Sequence, residues 1–235
     1  MKQTVKWLAA ALIALGLNQA VWADGVPNFQ ERLQAAEQGN AKAQLYLGGM
    51  YYTGEGVRQD YAQAVQWFRK AAEQGDANAQ HNLGVAYEQG LGVRQDYAQA
   101  VQWFRKAAEQ GFAYAQSGLG WMYYKGKGVR QDYAEAVQWY RRAAEQGNAQ
   151  AQHNLGMMYY KGEGVRRNYK QAVQWYRNAA EQGYAYAQHS LGLMYLKGEG
   201  VRQDLALAQE WFGKACQNGA QISCLLYQGT KKAGY

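Results

Sequence analysis

Serine is scarce in this 235-residue chain: Ser117, Ser190 and Ser223 are the whole complement. None opens a Ser-x-x-Lys motif or stands in a Gly-x-Ser-x-Gly elbow, so those two serine-nucleophile arrangements are excluded. Histidine is equally rare, and His81, His153 and His189 lie whole multiples of one period apart. Equivalent sites in stacked units should sit roughly 10 Å apart or more by helix-packing distances. Zinc requires nitrogens within about 2.1 Å of one shared ion. The three histidines therefore read as polar residues of the surface or concave face, and no metal or other cofactor is indicated.

Long apolar runs are also missing. The longest, residues 7–17, falls short of the roughly 20 residues that span a bilayer. Lys2 and Lys6 precede it and Val21-Trp22-Ala23 follows, the pattern of a secretory signal peptide over 1–23. Cleavage after Ala23 would leave Asp24 as the mature N-terminus, with no cysteine nearby for a lipid anchor. The expected mature chain is exported to the periplasm, cell surface or medium, with no transmembrane segment. Its net charge of +7 becomes +5 once Lys2 and Lys6 leave. That mild excess in an exported chain argues against nucleic acid, and leaves acidic polymers of the envelope or host as candidates. The two cysteines, Cys216 and Cys224, most simply pair in that oxidising setting.

What the chain does contain is one 36-residue unit written five times without insertion or deletion. Trp67, Trp103, Trp139, Trp175 and Trp211 mark the beat, as do Gly75, Gly111, Gly147, Gly183 and Gly219. A fixed period of this length marks a solenoid whose units bury their apolar faces against neighbours. The expected organisation is a capping helix at 24–39, repeats at 40–75, 76–111, 112–147, 148–183 and 184–219, and a capping helix with tail at 220–235.

Each unit predicts two helices. In the second, Ala79, Leu83 and Tyr87 share one helical face, and Asp76 is placed to cap it. Gly90-Leu91-Gly92 breaks that helix. Asp96 caps the next, whose buried stripe is Tyr97, Ala100, Val101, Phe104 and Ala108, and Gly111 closes it. The recurrent acids Asp60, Asp96, Asp132 and Asp204 serve as caps. Arg69, Arg105, Arg141 and Arg177 stand four residues before a glutamate, an ordinary helix pairing.

The pattern A-x-A-Q-x-x-L-G-x-x-Y-x-x-G-x-G-V-x-x-D, then A-x-x-W-x-x-x-A-A-E-Q-G, resembles the Sel-1-like repeat family, related to tetratricopeptide repeats. Ala79-Gln80, Leu83-Gly84, Tyr87, Gly92-Val93, Asp96, Ala100, Trp103 and Ala107 to Gly111 carry the match. The resemblance covers roughly 40–219 and implies an all-α, right-handed superhelical α/α solenoid of five helix-turn-helix repeats with capping half-units. Cys216 takes the place of Ala72 and Cys224 that of Gln80, the spacing of the disulfides in cysteine-rich members. Some of those relatives are described as penicillin-binding or β-lactamase proteins, but no matching serine motif occurs here.

In a repeated framework, selectivity belongs to the positions that vary. One first-helix site reads Gly49, Val85, Trp121, Met157 and Leu193; another reads Lys42, Asn78, Tyr114, Gln150 and Tyr186. First helices line the concave face in related solenoids. This implies a groove built by Tyr114, Trp121, Met157, Tyr186 and Leu193, edged by Lys125, Lys161 and Lys197. The same side chains could instead fill space between first helices. Arg58, Arg94, Arg130, Arg166 and Arg202 read as a solvated rim. The expected protein is a monomeric, non-catalytic scaffold binding a protein or peptide in its groove. The alternatives are a binder of peptidoglycan or anionic glycan, and the β-lactamase-like activity of distant relatives.

Overall fold

The computed structural model describes residues 29–232; the expected signal peptide and cleavage site lie outside them. The described residues form twelve α-helices and no strand. A capping helix α1 (Phe29–Glu37) precedes five pairs. The first helices are α2 (Ala41–Thr53), α4 (Ala77–Gln89), α6 (Ala113–Lys125), α8 (Ala149–Lys161) and α10 (Ala185–Lys197). Their partners are α3 (Tyr61–Glu73), α5 (Tyr97–Glu109), α7 (Tyr133–Glu145), α9 (Tyr169–Glu181) and α11 (Leu205–Gln217), and α12 (Gln221–Lys232) closes the series.

Local chemistry sets these boundaries. Asp60, Asp96, Asp132, Asn168 and Asp204 each accept backbone N–H bonds at the start of a second helix, satisfying donors the helix cannot use itself. Gly90 ends α4 at φ +73°, a left-handed conformation that costs glycine little. Its amide returns to the Ala86 carbonyl at 2.8 Å.

The residues divide into two compact units, 29–122 with 126–130, and 123–125 with 131–232. In the first, Phe68, Ala71, Ala79, Leu83 and Trp103 belong to one buried core. In the second, Val173, Tyr176, Leu191, Met194 and Phe212 do the same. Within each, a first-helix glycine receives the partner helix's ring. A Cβ on Gly84 would stand 2.7 Å from Phe104, and one on Gly192 2.7 Å from Phe212, so a larger residue would push the helices apart.

A buried amide ladder ties each repeat to its predecessor. Gln80 donates to the Ala72 carbonyl at 3.1 Å and accepts from Gln110 at 2.8 Å. In the second unit Gln188 donates to Ala180 at 3.0 Å and accepts from Asn218 at 2.9 Å. At the last junction the same two positions hold Cys216 and Cys224, joined in a disulfide with Cα atoms 4.7 Å apart. The covalent bond stands where the other repeats have a hydrogen bond.

At three of the four arginines the expected Arg–Glu pairing is not what forms. Arg69, Arg141 and Arg177 donate instead to the phenol oxygens of Tyr87, Tyr159 and Tyr195, at 2.7, 2.8 and 2.7 Å. Each tyrosine lies eighteen residues on, in the next first helix. A guanidinium held against a half-buried phenol forms a better-shielded bond than an exposed pair with glutamate.

Candidate functional site

Side chains seven and eleven residues apart on a helix fall on one face. Along α6 that rule aligns Tyr114, Trp121 and Lys125, and along α10 Tyr186, Leu193 and Lys197. Tyr114 is 37% exposed and Tyr186 58%, while Lys125, Lys161 and Lys197 are exposed. Trp121, Met157 and Leu193 are half-buried. Leu193 packs against the core of its unit, so it offers less contact area than the tyrosines.

The Trp121 ring lies under a cation. Lys127 Nζ is 4.8 Å from its centroid and 4.5 Å from that of Tyr97, to whose hydroxyl it also donates at 3.0 Å. The row of lysines is likewise partly engaged. Lys161 donates to the Tyr124 hydroxyl at 3.0 Å and pairs with Glu163 at 3.6 Å. That hydrogen bond to Tyr124 is the main cause of its raised pKa.

The helix starts add two aromatics that reading of the sequence alone missed. Asn40, Asp76 and Asn148 cap their first helices, but Phe112 and Tyr184 occupy the cap positions of α6 and α10 with no side-chain bond. Forgoing such a cap typically costs about 1 kcal/mol. In exchange each ring meets its neighbour: Phe112 and Tyr114 centroids are 5.7 Å apart, Tyr184 and Tyr186 5.8 Å. The signal was visible, as an aromatic where the period supplies a capping residue.

Behind each aromatic pair sits a histidine, and here the expectation of surface residues is corrected. His81 is only 8% exposed and packs against Phe104, Phe112 and Tyr114 at 5.5, 5.4 and 6.3 Å. Burial lowers its pKa to about 4, and that of His153 also to about 4. His153 faces Ser190 Oγ at 3.3 Å and Tyr184 at 5.5 Å. His189 is half-buried, lies 2.9 Å from Ser223 Oγ and is lowered by the same cause. A neutral imidazole packs as a flat, weakly polar ring, which suits a site between helices where an exposed polar residue was expected. No group of described residues could hold a metal ion, and no described helix is long and apolar enough to cross a membrane. The five turn arginines, Arg58, Arg94, Arg130, Arg166 and Arg202, are exposed, as a solvated rim requires.

Paired helices at a constant period, locked by buried amides and presenting variable side chains outward, define an α/α repeat scaffold. The chain belongs to the Sel1 repeat family, whose model matches 41–76, 77–112, 113–148, 149–184 and 185–219, each starting one residue later than the expected repeat. Such repeats generally serve as non-catalytic modules of protein interaction. Among solved structures, the chain is similar to a Sel1 repeat protein from Oxalobacter formigenes. The two share 38% identity with a TM-score of 0.82, over 95% of this chain and 88% of that one. It is also similar to c5321, described as a protective antigen of uropathogenic Escherichia coli with an SLR fold, at 45% identity and TM-score 0.79. That match covers 84% of this chain and 42% of that one. The secretory immunoglobulin A-binding protein EsiB of Escherichia coli is 45% identical over 63 residues, 27% of this chain and 13% of EsiB. The chain thus spans less than half the length of either Escherichia coli protein.

Proposed function

We propose that this chain is an exported, non-catalytic scaffold that recognises a protein or peptide through the outward face of its first helices. The observation that carries the reading is the exposed Tyr114 and Tyr186, each against a half-buried aromatic, Phe112 or Tyr184, set where the repeat otherwise places a helix cap. Large aromatics held rigid by their neighbours supply much contact energy for little lost freedom. Tyr114 shares a face of α6 with Trp121 and Lys125, Met157 a face of α8 with Lys161, and Tyr186 a face of α10 with Leu193 and Lys197, with the lysines chiefly steering encounter. Export is supported by the Cys216–Cys224 disulfide and by the leader-like residues 1–23. The similarity to an immunoglobulin-binding protein is in keeping with a proteinaceous partner.

The test uses mature protein as bait against envelope and secreted host fractions, followed by titration of the captured partner. Tyr114→Ala and Tyr186→Ala should each weaken binding by about 1–3 kcal/mol while leaving helical circular dichroism unchanged. Unchanged affinity in both variants would remove the first-helix face from the reading. For Trp121→Ala, a lowered melting temperature with unchanged affinity would assign that ring to packing.

A further inference from the structure

The fourth repeat breaks the charge pattern at one place. In the other four, the second-helix start reads Arg-Gln-Asp-Tyr-Ala or Arg-Gln-Asp-Leu-Ala, in which one cation balances one acid. The fourth reads Arg166-Arg167-Asn168-Tyr169-Lys170, with three cations and no acid.

These changes also surrender a local bond. Gln59, Gln95, Gln131 and Gln203 each clasp the carbonyl of a residue seven positions back, at 2.7–2.9 Å. Arg167 replaces that glutamine and lies instead over the Tyr169 ring, 5.4 Å from its centroid. The backbone does not explain the exchange. Asn168 caps its helix as Asp96 does, with φ −152° against −149° and bonds of 3.1 and 3.0 Å to the third amide on. What changes is charge.

The positions concerned are equivalent to those that line a cleft in the second repeat. There an open cleft of about 700 Å³ is lined by Arg69, Tyr87, Arg94, Gln95, Asp96 and Gln99, among others. Two periods on, these become Arg141, Tyr159, Arg166, Arg167, Asn168 and Gln171. Arg141 is oriented by the Tyr159 phenol as Arg69 is by Tyr87. Arg141, Arg166, Arg167 and Lys170 are all exposed. The loop's own acid, Glu163, faces Lys161 at 3.6 Å.

We propose that this edge of the fourth repeat, between α7, the loop after α8 and the start of α9, binds a short acidic peptide segment. Guanidinium forks match carboxylates bidentately. Three cations with no acid at the same helix start, together with Arg141 on α7, would concentrate such a ligand. A long polyanion would need successive repeats to follow it, yet the neighbouring starts carry Asp132 and Asp204. The site is separate from the first-helix face and does not depend on it.

Fluorescein-labelled oligoglutamate, with oligoglutamine as the neutral control, tests this on the mature chain. The variant Arg167→Gln/Asn168→Asp/Lys170→Ala restores the sequence with which three other repeats fold. It should bind oligoglutamate about tenfold more weakly and with a flatter salt dependence, at an unchanged melting temperature. Equal binding by the variant, or no preference for oligoglutamate over oligoglutamine, overturns the proposal. So does capture of a DNA oligonucleotide or of anionic phosphatidylglycerol vesicles that exceeds oligoglutamate binding and is lost in the same variant, because the cluster would then be a general polyanion surface.

Discussion

The interior junctions and the last one solve the same problem with different chemistry. Between successive interior repeats, the glutamine of A-Q reaches back eight residues to an alanine carbonyl and is completed by an amide thirty residues on. Gln80 and Gln188 show both halves of that link. Between α11 and α12, a disulfide occupies the same eight-residue step. The helix it holds is also less covered, for Ile222 is 64% and Leu225 70% exposed. Leu225 stands where His81, His153 and His189 pack in earlier repeats. Gln228 stands where Gly84 and Gly192 admit a ring, so α12 lacks the slot used by a following second helix. A buried amide is stable when all its partners are present. A disulfide needs one partner and holds without further burial.

Breaking the covalent link should give the largest effect. Cys216→Ser/Cys224→Ser is expected to cost about 2.5 kcal/mol by the chain-entropy estimate for so short a loop. Hydrogen exchange should show α11 and α12 losing protection first, with α4 and α5 unchanged. Uniform loss across the array would mean that the last junction is not a separate lock.

An interior amide comes next. Gln152 donates to Ala144 at 3.0 Å and accepts from Gln182 at 2.8 Å. Gln152→Ala removes both bonds, but Ala144 still accepts from the Gly147 amide and Gln182 still donates to Asn178, so it should cost about 0.5–1.5 kcal/mol in denaturant melts. Ala144→Cys/Gln152→Cys sharpens the comparison by moving the terminal chemistry inward. It should oxidise to an intramolecular disulfide, seen as a two-dalton mass loss without reductant, provided the two junctions share one geometry.

Acid should produce the smallest and most graded difference. A buried histidine with a depressed pKa favours the neutral form, so its contribution is complete above the unfolded value of about 6.5. It is lost as pH falls, because the unfolded chain binds protons that the folded one refuses until about pH 4 for His81 and His153. Melting temperature should therefore decline between pH 6.5 and 4. His81→Gln should flatten that decline more than His189→Gln, since His189 beside α12 is only half-buried. Equal slopes in the two variants would deny any difference between interior and end.

Much of this was legible in the chain itself. The period, the cap acids, the glycine breaks and the cysteine pair are properties of near neighbours or of spacing, and sequence states both directly. That Tyr114 and Tyr186 depart from the repeated pattern was legible too, but spacing left open whether they are exposed or packed between first helices, and the structure exposes both. Tertiary structure alone decided the rest. Arg69 meets Tyr87 eighteen residues away, Gln110 meets Gln80 at thirty, and His81 meets Phe112 and Tyr114 across a helix pair. Repeat spacing says which residues are equivalent, but not toward which neighbour a side chain turns. That is settled by packing, where a guanidinium prefers a shielded phenol to a solvated carboxylate and an imidazole gives up its proton to fill an aromatic seam.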